Sequence, residues 1–333
     1  MAGEPALPNL LVIGAMKCAT SAIHYCLDVH PEAQMSNPKE LNYFFSEPAE
    51  LPEVRITESR EERLRGDDIG TWERGEDWYR RHFDAGFALR GESSPAYTAP
   101  WNAEITAARI AALIPDVKLV LMVRDPVVRM LSEYQHYALR GLEWRSADQA
   151  LARRDGTYIA RSRYWARIAP YAERFERDRI LVISQERFLC ERRRVLRELF
   201  AFCGIDPGYH SPKMERLWNT TGAKDGRRLY LERLRQLPGM ALTYRIPREW
   251  KWRLRRLVYR AEPAQPTRPI LSESVRVAIL DELADDMARF REWAGRDFPE
   301  WSSLTAMRPP SIGATATGQD PVPDLNQKTE SLI

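Results

Sequence analysis

The chain has 333 residues, 44% of them hydrophobic, enough to enclose one large α/β domain or two modest ones. A net charge of +3 argues against a dedicated nucleic-acid binder, although basic residues cluster locally. The four cysteines (Cys18, Cys26, Cys190, Cys203) have neither CxxC spacing nor a histidine at metal-site spacing, so they read as reduced structural thiols of a cytosolic protein.

After Met1 to Pro8 the chain enters an apolar run without a basic leader and cleavage site. No run approaches the roughly 20 apolar residues of a membrane-spanning helix. A soluble, cytoplasmic protein is the expectation.

Asn9 to Ile13 (NLLVI) is a short apolar run stopped by a glycine, the pattern of a buried parallel strand. Ser21 to Val29 reads as a helix ended by His30-Pro31. Glu47 to Gly70 is polar and charge-dense, a surface insertion. Phe87 to Arg90 (FALR) is a candidate strand and Pro100 to Ile114 a helix. Lys118 to Val123 (KLVLMV) is a second buried strand, and Pro126 suits the first turn of a helix running to about Leu139. A helix from about Arg163 to Phe175 leads into a third apolar strand, Arg179 to Ser184, and another helix spans Arg192 to Cys203. From Lys224 to Arg260 twelve Lys or Arg stand against three acidic residues, with tryptophans and tyrosines interleaved. Ser272 to Trp293 is a final amphipathic helix with Ser272 as its cap. The Pro-, Gly- and Thr-rich residues after Met307 read as a disordered tail.

Strands alternating with helices predict a parallel sheet covered on both faces, with its ligand site outside the carboxyl ends of the strands. Two segments begin where an apolar strand ends. The first, Gly14-Ala15-Met16-Lys17-Cys18-Ala19-Thr20-Ser21, joins a strand to a helix, so its amides and the helix dipole form an anion cradle. It has the length of the GxxxxGK[ST] phosphate loop, but Ala19 and Thr20 stand where Gly and Lys belong, and Lys17 comes three positions early. The expected fold is therefore α/β and P-loop-like, three layers with a central parallel sheet of about five strands flanked by helices. Residues 1–306 form a single domain, with 224–266 as a basic segment over the donor or acceptor and 307–333 as the tail.

The second segment runs Arg124-Asp125-Pro126-Val127-Val128-Arg129-Met130-Leu131-Ser132-Glu133-Tyr134. Arg124 can take a phosphate bidentately, and Ser132 lies on the helix that follows. Arg129 either adds charge or pairs with Glu133 four residues on; Asp125 reads as ordering the turn. Two anion sites at adjacent strand ends suit a ligand with two separated phosphates.

The pairing of LLVIGAMKCATSAI with LVLMVRDPVVRMLSEY closely resembles the sulfotransferases that use PAPS (3′-phosphoadenosine 5′-phosphosulfate), especially the carbohydrate and heparan-type branch and its bacterial relatives. Pro38-Lys39-Glu40-Leu41-Asn42-Tyr43-Phe44-Phe45 is similar to the family's acidic segment before a Phe-Phe pair. Gly91-Glu92-Ser93-Ser94-Pro95-Ala96-Tyr97 is similar to its substrate-side loop, Arg161-Ser162-Arg163-Tyr164 to a donor-site segment, and Gly295-Arg296-Asp297-Phe298 with Trp301 to its ending. The resemblance implies a transferase that moves a sulfuryl group from PAPS to an acceptor hydroxyl, releasing PAP without a required metal. Gly14 to Ser21 then hold the 5′-phosphosulfate, and Arg124 and Ser132 the 3′-phosphate. Arg163, Tyr164, Lys224, Arg227 and Arg228 complete the donor site, and Glu92, Ser93 and Tyr97 face the acceptor.

Glu40 is implied as the base and Lys17 as the group that holds the leaving oxygen. His136 and His24 stay open as other bases, and Glu92 as either a second acidic site residue or a strand-end cap. No motif fixes the acceptor: a sugar, glycolipid or secondary-metabolite hydroxyl fits, as does a phenol, and a protein tyrosine fits less well. Two departures stand out: Ser93 takes a position where the heparan-type loop often has lysine, and Cys18-Ala19 replaces a glycine pair, which removes backbone freedom. The 224–260 segment closes over the donor, rests on an anionic membrane, or simply packs. Competing readings are a P-loop kinase, which needs Mg²⁺ and the late lysine, and a non-catalytic nucleotide-binding module.

Overall fold

The computed structural model describes residues 4–45, 70–139, 143, 145–153, 156–215 and 269–305. The Glu47–Gly70 insertion up to residue 69, Lys224, Arg227, Arg228 with the 224–266 segment, and the 307–333 tail lie outside the described residues.

Five strands form one sheet in the order β2-β3-β1-β4-β5, every pairing parallel. They are β1 (Leu10–Gly14), β2 (Ala33–Met35), β3 (Leu89–Ser93), β4 (Lys118–Val123) and β5 (Ile180–Ser184). The unbroken apolar runs predict this: a strand covered on both faces has no solvent side on which to alternate. All five residues of β1 are buried, and each such Leu, Ile or Val contributes about 1.5–3 kcal/mol by leaving water. The short β2 escapes a sequence reading because three residues carry no pattern. β3 lies two to three residues beyond the expected Phe87–Arg90, so Gly91, Glu92 and Ser93 belong to a strand rather than to a loop.

The main helices are α1 (Thr20–Asp28), α2 (Ala103–Leu113), α3 (Pro126–Leu139), α4 (Tyr164–Ala172), α5 (Arg192–Cys203) and α6 (Glu273–Ala294). Proline opens α3 as expected, and Asp125 in front of it caps the first turn, its Oδ1 accepting from the amides of Val127 (3.0 Å) and Val128 (3.2 Å). Ser272 does occupy the N-cap of α6, but its side chain makes no capping bond; the hydroxyl lies 3.3 Å from that of Ser274 and its amide donates to Asp148. The N-terminus of α4 is served from outside instead, Asp286 of α6 accepting from the amides of Trp165 and Ala166. Among the described residues no helix is long and apolar enough to cross a membrane.

The strand order places the site. From β1 the chain turns toward β2 and β3; from β4 it turns the other way, toward β5. The connections after β1 and β4 therefore diverge, and the crevice between them is the switch point at which such sheets bind ligands.

Candidate active site

Both anion segments flank that crevice. In the 14–21 loop, Lys17 (φ 70°) and Ala19 (φ 64°) adopt the left-handed conformation, which costs a non-glycine residue about 1–2 kcal/mol. Of the Cys18-Ala19 pair that stands in place of two glycines, only Ala19 carries this cost, and the turn forms all the same. The amides of Ala19, Thr20 and Ser21 donate to no protein acceptor among the described residues, and they open the nine-residue α1. Amides left over at a helix N-terminus are what an anion takes up. Lys17 is half-buried.

Arg124 leaves β4 beside this loop, its Nη1 3.5 Å from the Lys17 carbonyl. Tyr164 braces the pair from behind. Fully buried, its hydroxyl donates to Arg124 O (2.7 Å), accepts from Arg124 N (3.1 Å) and lies 3.8 Å from Cys18 Sγ. Tyr164 is therefore a support of the loop rather than part of its lining. Burial pushes the Cys18 thiol up to about 12, the behaviour of a packing group. Arg163, expected at the donor, is turned to an ion pair with Glu282 of α6. Ser132 is half-buried on α3, its hydroxyl without a protein partner among the described residues.

Of the two readings of Arg129, the ion pair holds: Nη1 lies 2.8 Å from Glu133 Oε2, both side chains fully buried. Glu133 Oε1 also receives Arg161 Nη1 at 2.8 Å, and that guanidinium stacks over Trp101 while touching Met16 of the loop. The resemblance placed Arg161 in a donor-site segment, whereas its contact with Met16 follows from no spacing rule. Asp125 orders its turn and also receives the amide of Ser303 at 2.8 Å.

Glu40 follows Lys39, to which it is ion-paired; the two side chains are 30% and 16% exposed. Their segment is tied to the end of β3, which lies beside β1: Ser93 N donates to Lys39 O at 3.3 Å, and Ser93 pairs with Val12. Asn42, at φ 50°, makes the turn after Leu41, a conformation asparagine tolerates better than most residues. His136 is half-buried on α3, its ring edge-on to Tyr137.

The three residues expected to face the acceptor do not. Glu92, Ser93 and Tyr97 are each 0% exposed. Glu92 accepts from Tyr97 and Tyr79 hydroxyls (2.6 and 2.7 Å), from Ser94 Oγ (2.8 Å) and from Leu41 N (3.3 Å). Burial raises its pKa and the four donors oppose that rise. Of its two readings, the open acidic site residue is not what the fold shows, because its whole acceptor capacity is used internally at the end of β3. Ser93 Oγ is 3.0 Å from His24 Nδ1.

Burial first, and the Lys39 ammonium second, push His24 down to about 3 from 6.5. Its imidazole is therefore neutral in the fold. The unfolded chain takes up a proton that the folded chain refuses, so the contribution of His24 is complete above pH 6.5 and is lost as pH falls toward 3. Unfolding free energy is expected to drop by up to about 1.4 kcal/mol per pH unit from this group. Denaturant titrations of the wild type and His24→Gln across that window check it; parallel pH profiles would refute the burial of a neutral ring.

Two segments that follow parallel strands, one with unused amides and one carrying an arginine, lie together at the switch point of an α/β sheet. The sulfotransferase family profile matches residues 8–209, and the chain belongs to that family. It is similar to the membrane-associated sulfotransferase kil1 of Dictyostelium discoideum, 32% identical over 142 residues, 41% of this chain and 24% of that protein. It is also similar to heparan sulfate glucosamine 3-O-sulfotransferase 3B1 of Mus musculus, 26% identical over 216 residues, 61% of this chain and 48% of that one. The match thus spans less than half the length of each of these two relatives. A solved sulfotransferase from Alicyclobacillus acidocaldarius superposes with a TM-score of 0.62 at 26% identity, covering 89% of this chain and 99% of that one.

Proposed function

We propose that this protein transfers a sulfuryl group from PAPS to an acceptor hydroxyl. The observation that carries the reading is the meeting of the two anion segments at the β1/β4 crevice, with Arg124 3.5 Å from the Lys17 carbonyl and the amides of Ala19, Thr20 and Ser21 unused among the described residues. The 14–21 loop holds the 5′-phosphosulfate, with the Thr20 and Ser21 hydroxyls beside the amides, while Arg124 and Ser132 hold the 3′-phosphate. The donor supplies the sulfuryl group, whose bond to the 5′-phosphate oxygen breaks as the bond to the acceptor oxygen forms. Glu40 takes the acceptor's proton, and Lys17 holds the charge that develops on the leaving oxygen.

With Ser93 buried against a neutral His24, that position offers no cation to an acidic acceptor. A neutral hydroxyl of a sugar, glycolipid or secondary metabolite fits better.

Calorimetric titration with PAP, with and without Mg²⁺ and with ATP as control, tests the donor. Metal-independent binding of PAP, tighter than ATP, is expected; no PAP binding, or ATP binding that needs Mg²⁺, overturns the reading in favour of a kinase. Arg124→Ala is expected to weaken PAP by about tenfold to a hundredfold, the equivalent of one or two charge-assisted bonds. Unchanged affinity would place the 3′-phosphate elsewhere.

A further inference from the structure

We propose that Glu92 is the positioning residue for Glu40, acting through a clamp on the backbone of the segment 41–44; the proposal rests on Glu40 being the base. Three amides of that segment are held by one group of side chains. Leu41 N donates to Glu92 Oε2 at 3.3 Å, Asn42 N to Ser94 Oγ at 3.0 Å and Phe44 N to Tyr97 OH at 3.3 Å. Glu92 orients the two hydroxyls, since Ser94 donates to its Oε2 and Tyr97 to its Oε1. A hydroxyl whose proton is given to a carboxylate can only accept from its other neighbours. The charge of Glu92 thus makes Ser94 and Tyr97 acceptors for amides that need acceptors, and the dry surroundings strengthen each link.

The clamp reaches both halves of the site. Ahead of Glu40, the Lys39 carbonyl accepts from Ser93 N (3.3 Å) and Ser36 Oγ (3.0 Å), so Glu40 stands between two anchored stretches of chain. On the other side, Tyr97 precedes Thr98, which packs on Gly14 at the start of the donor loop. The Tyr79 hydroxyl donates to Glu92 but to no part of the 41–44 segment, which supplies an internal control.

The test is residue-resolved amide exchange on the full chain, with PAP release from PAPS, water being the only acceptor, measured alongside. Ser94→Ala and Glu92→Gln are expected to speed exchange at Leu41, Asn42 and Phe44 by about tenfold or more, the scale of a lost buried hydrogen bond, while β1 and β4 amides change by less than about twofold. PAP release should fall by about tenfold with KM for PAPS held within about twofold, the signature of a misplaced base rather than a weakened donor site. Tyr79→Phe should change 41–44 exchange by less than about threefold, and Glu92→Asp, which keeps the charge, should recover part of what Glu92→Gln loses. Unaltered exchange in Ser94→Ala, or equal effects of Tyr79→Phe and Ser94→Ala, overturns the clamp. Wild-type PAP release by Glu40→Gln together with the expected exchange pattern overturns the base and leaves the clamp standing. If wild type releases no PAP with water, the exchange arm decides alone.

Discussion

Glu40→Gln is expected to lower PAPS turnover by about 10²-fold or more while PAP affinity stays within about twofold, because a positioned general base contributes 10²- to 10⁴-fold. Glutamine keeps the size and hydrogen-bonding reach of the side chain but cannot carry the acceptor's proton. The Glu40 side chain is 30% exposed, open enough to meet an acceptor, and is ion-paired with Lys39. The two histidines are the other candidates. His24 is neutral but buried, with Nδ1 engaged by Ser93, and His136 sits on α3 against Tyr137. PAP release measured with a panel of hydroxyl acceptors, paired with calorimetry, separates the outcomes. Undiminished turnover would remove Glu40 from the mechanism and make His136→Ala the next variant.

Gly14→Ala is expected to weaken PAP by tenfold or more and to destabilise the fold by about 1–3 kcal/mol, the usual cost of overpacking a filled core. A Cβ at residue 14 would stand 2.1 Å from Thr98 Oγ1 and 3.0 Å from its Cγ2. Neither wall yields easily: Gly14 is buried in β1 opposite Leu121, and Thr98 closes the turn Pro95–Thr98. The strain is relieved by moving the end of β1, and the donor loop moves with it. Thr98→Ala in the same chain removes both closest atoms and leaves a Cβ contact at 3.1 Å, so it should restore at least half of the lost affinity. Wild-type PAP binding by Gly14→Ala alone would show that this contact does not set the loop.

Much of the fold was legible because parallel strands buried on both faces leave short unbroken apolar runs. KLVLMV and the NLLVI run mark β4 and β1, and the helix from Pro126 to Leu139 has the expected bounds. The 14–21 loop and Arg124 follow the ends of β1 and β4, as the apolar runs before them imply, and the Lys39-Glu40 segment is tied to the end of β3. The site was not legible where roles pass between distant residues. The reading of Glu92, Ser93 and Tyr97 as facing the acceptor rested on the resemblance of Gly91 to Tyr97 to a substrate-side loop, whereas the carboxylate is enclosed by Tyr79, Tyr97, Ser94 and Leu41. Arg163 and Tyr164 share one segment with Arg161, yet the first pairs with α6, the second supports the loop from beneath and the third touches Met16.

By itself, then, the amino-acid order determined the layered α/β architecture, the two anion segments and their place at strand ends, since hydrophobic periodicity and backbone cradles are properties of short stretches of chain. Only the tertiary structure decided which strand ends adjoin, that the β1 and β4 connections diverge, which arginines are consumed by Glu133 and Glu282, and that a buried carboxylate on β3 holds the segment bearing Glu40. Those outcomes depend on contacts between residues tens of positions apart, and no local pattern encodes which buried charge finds which partner.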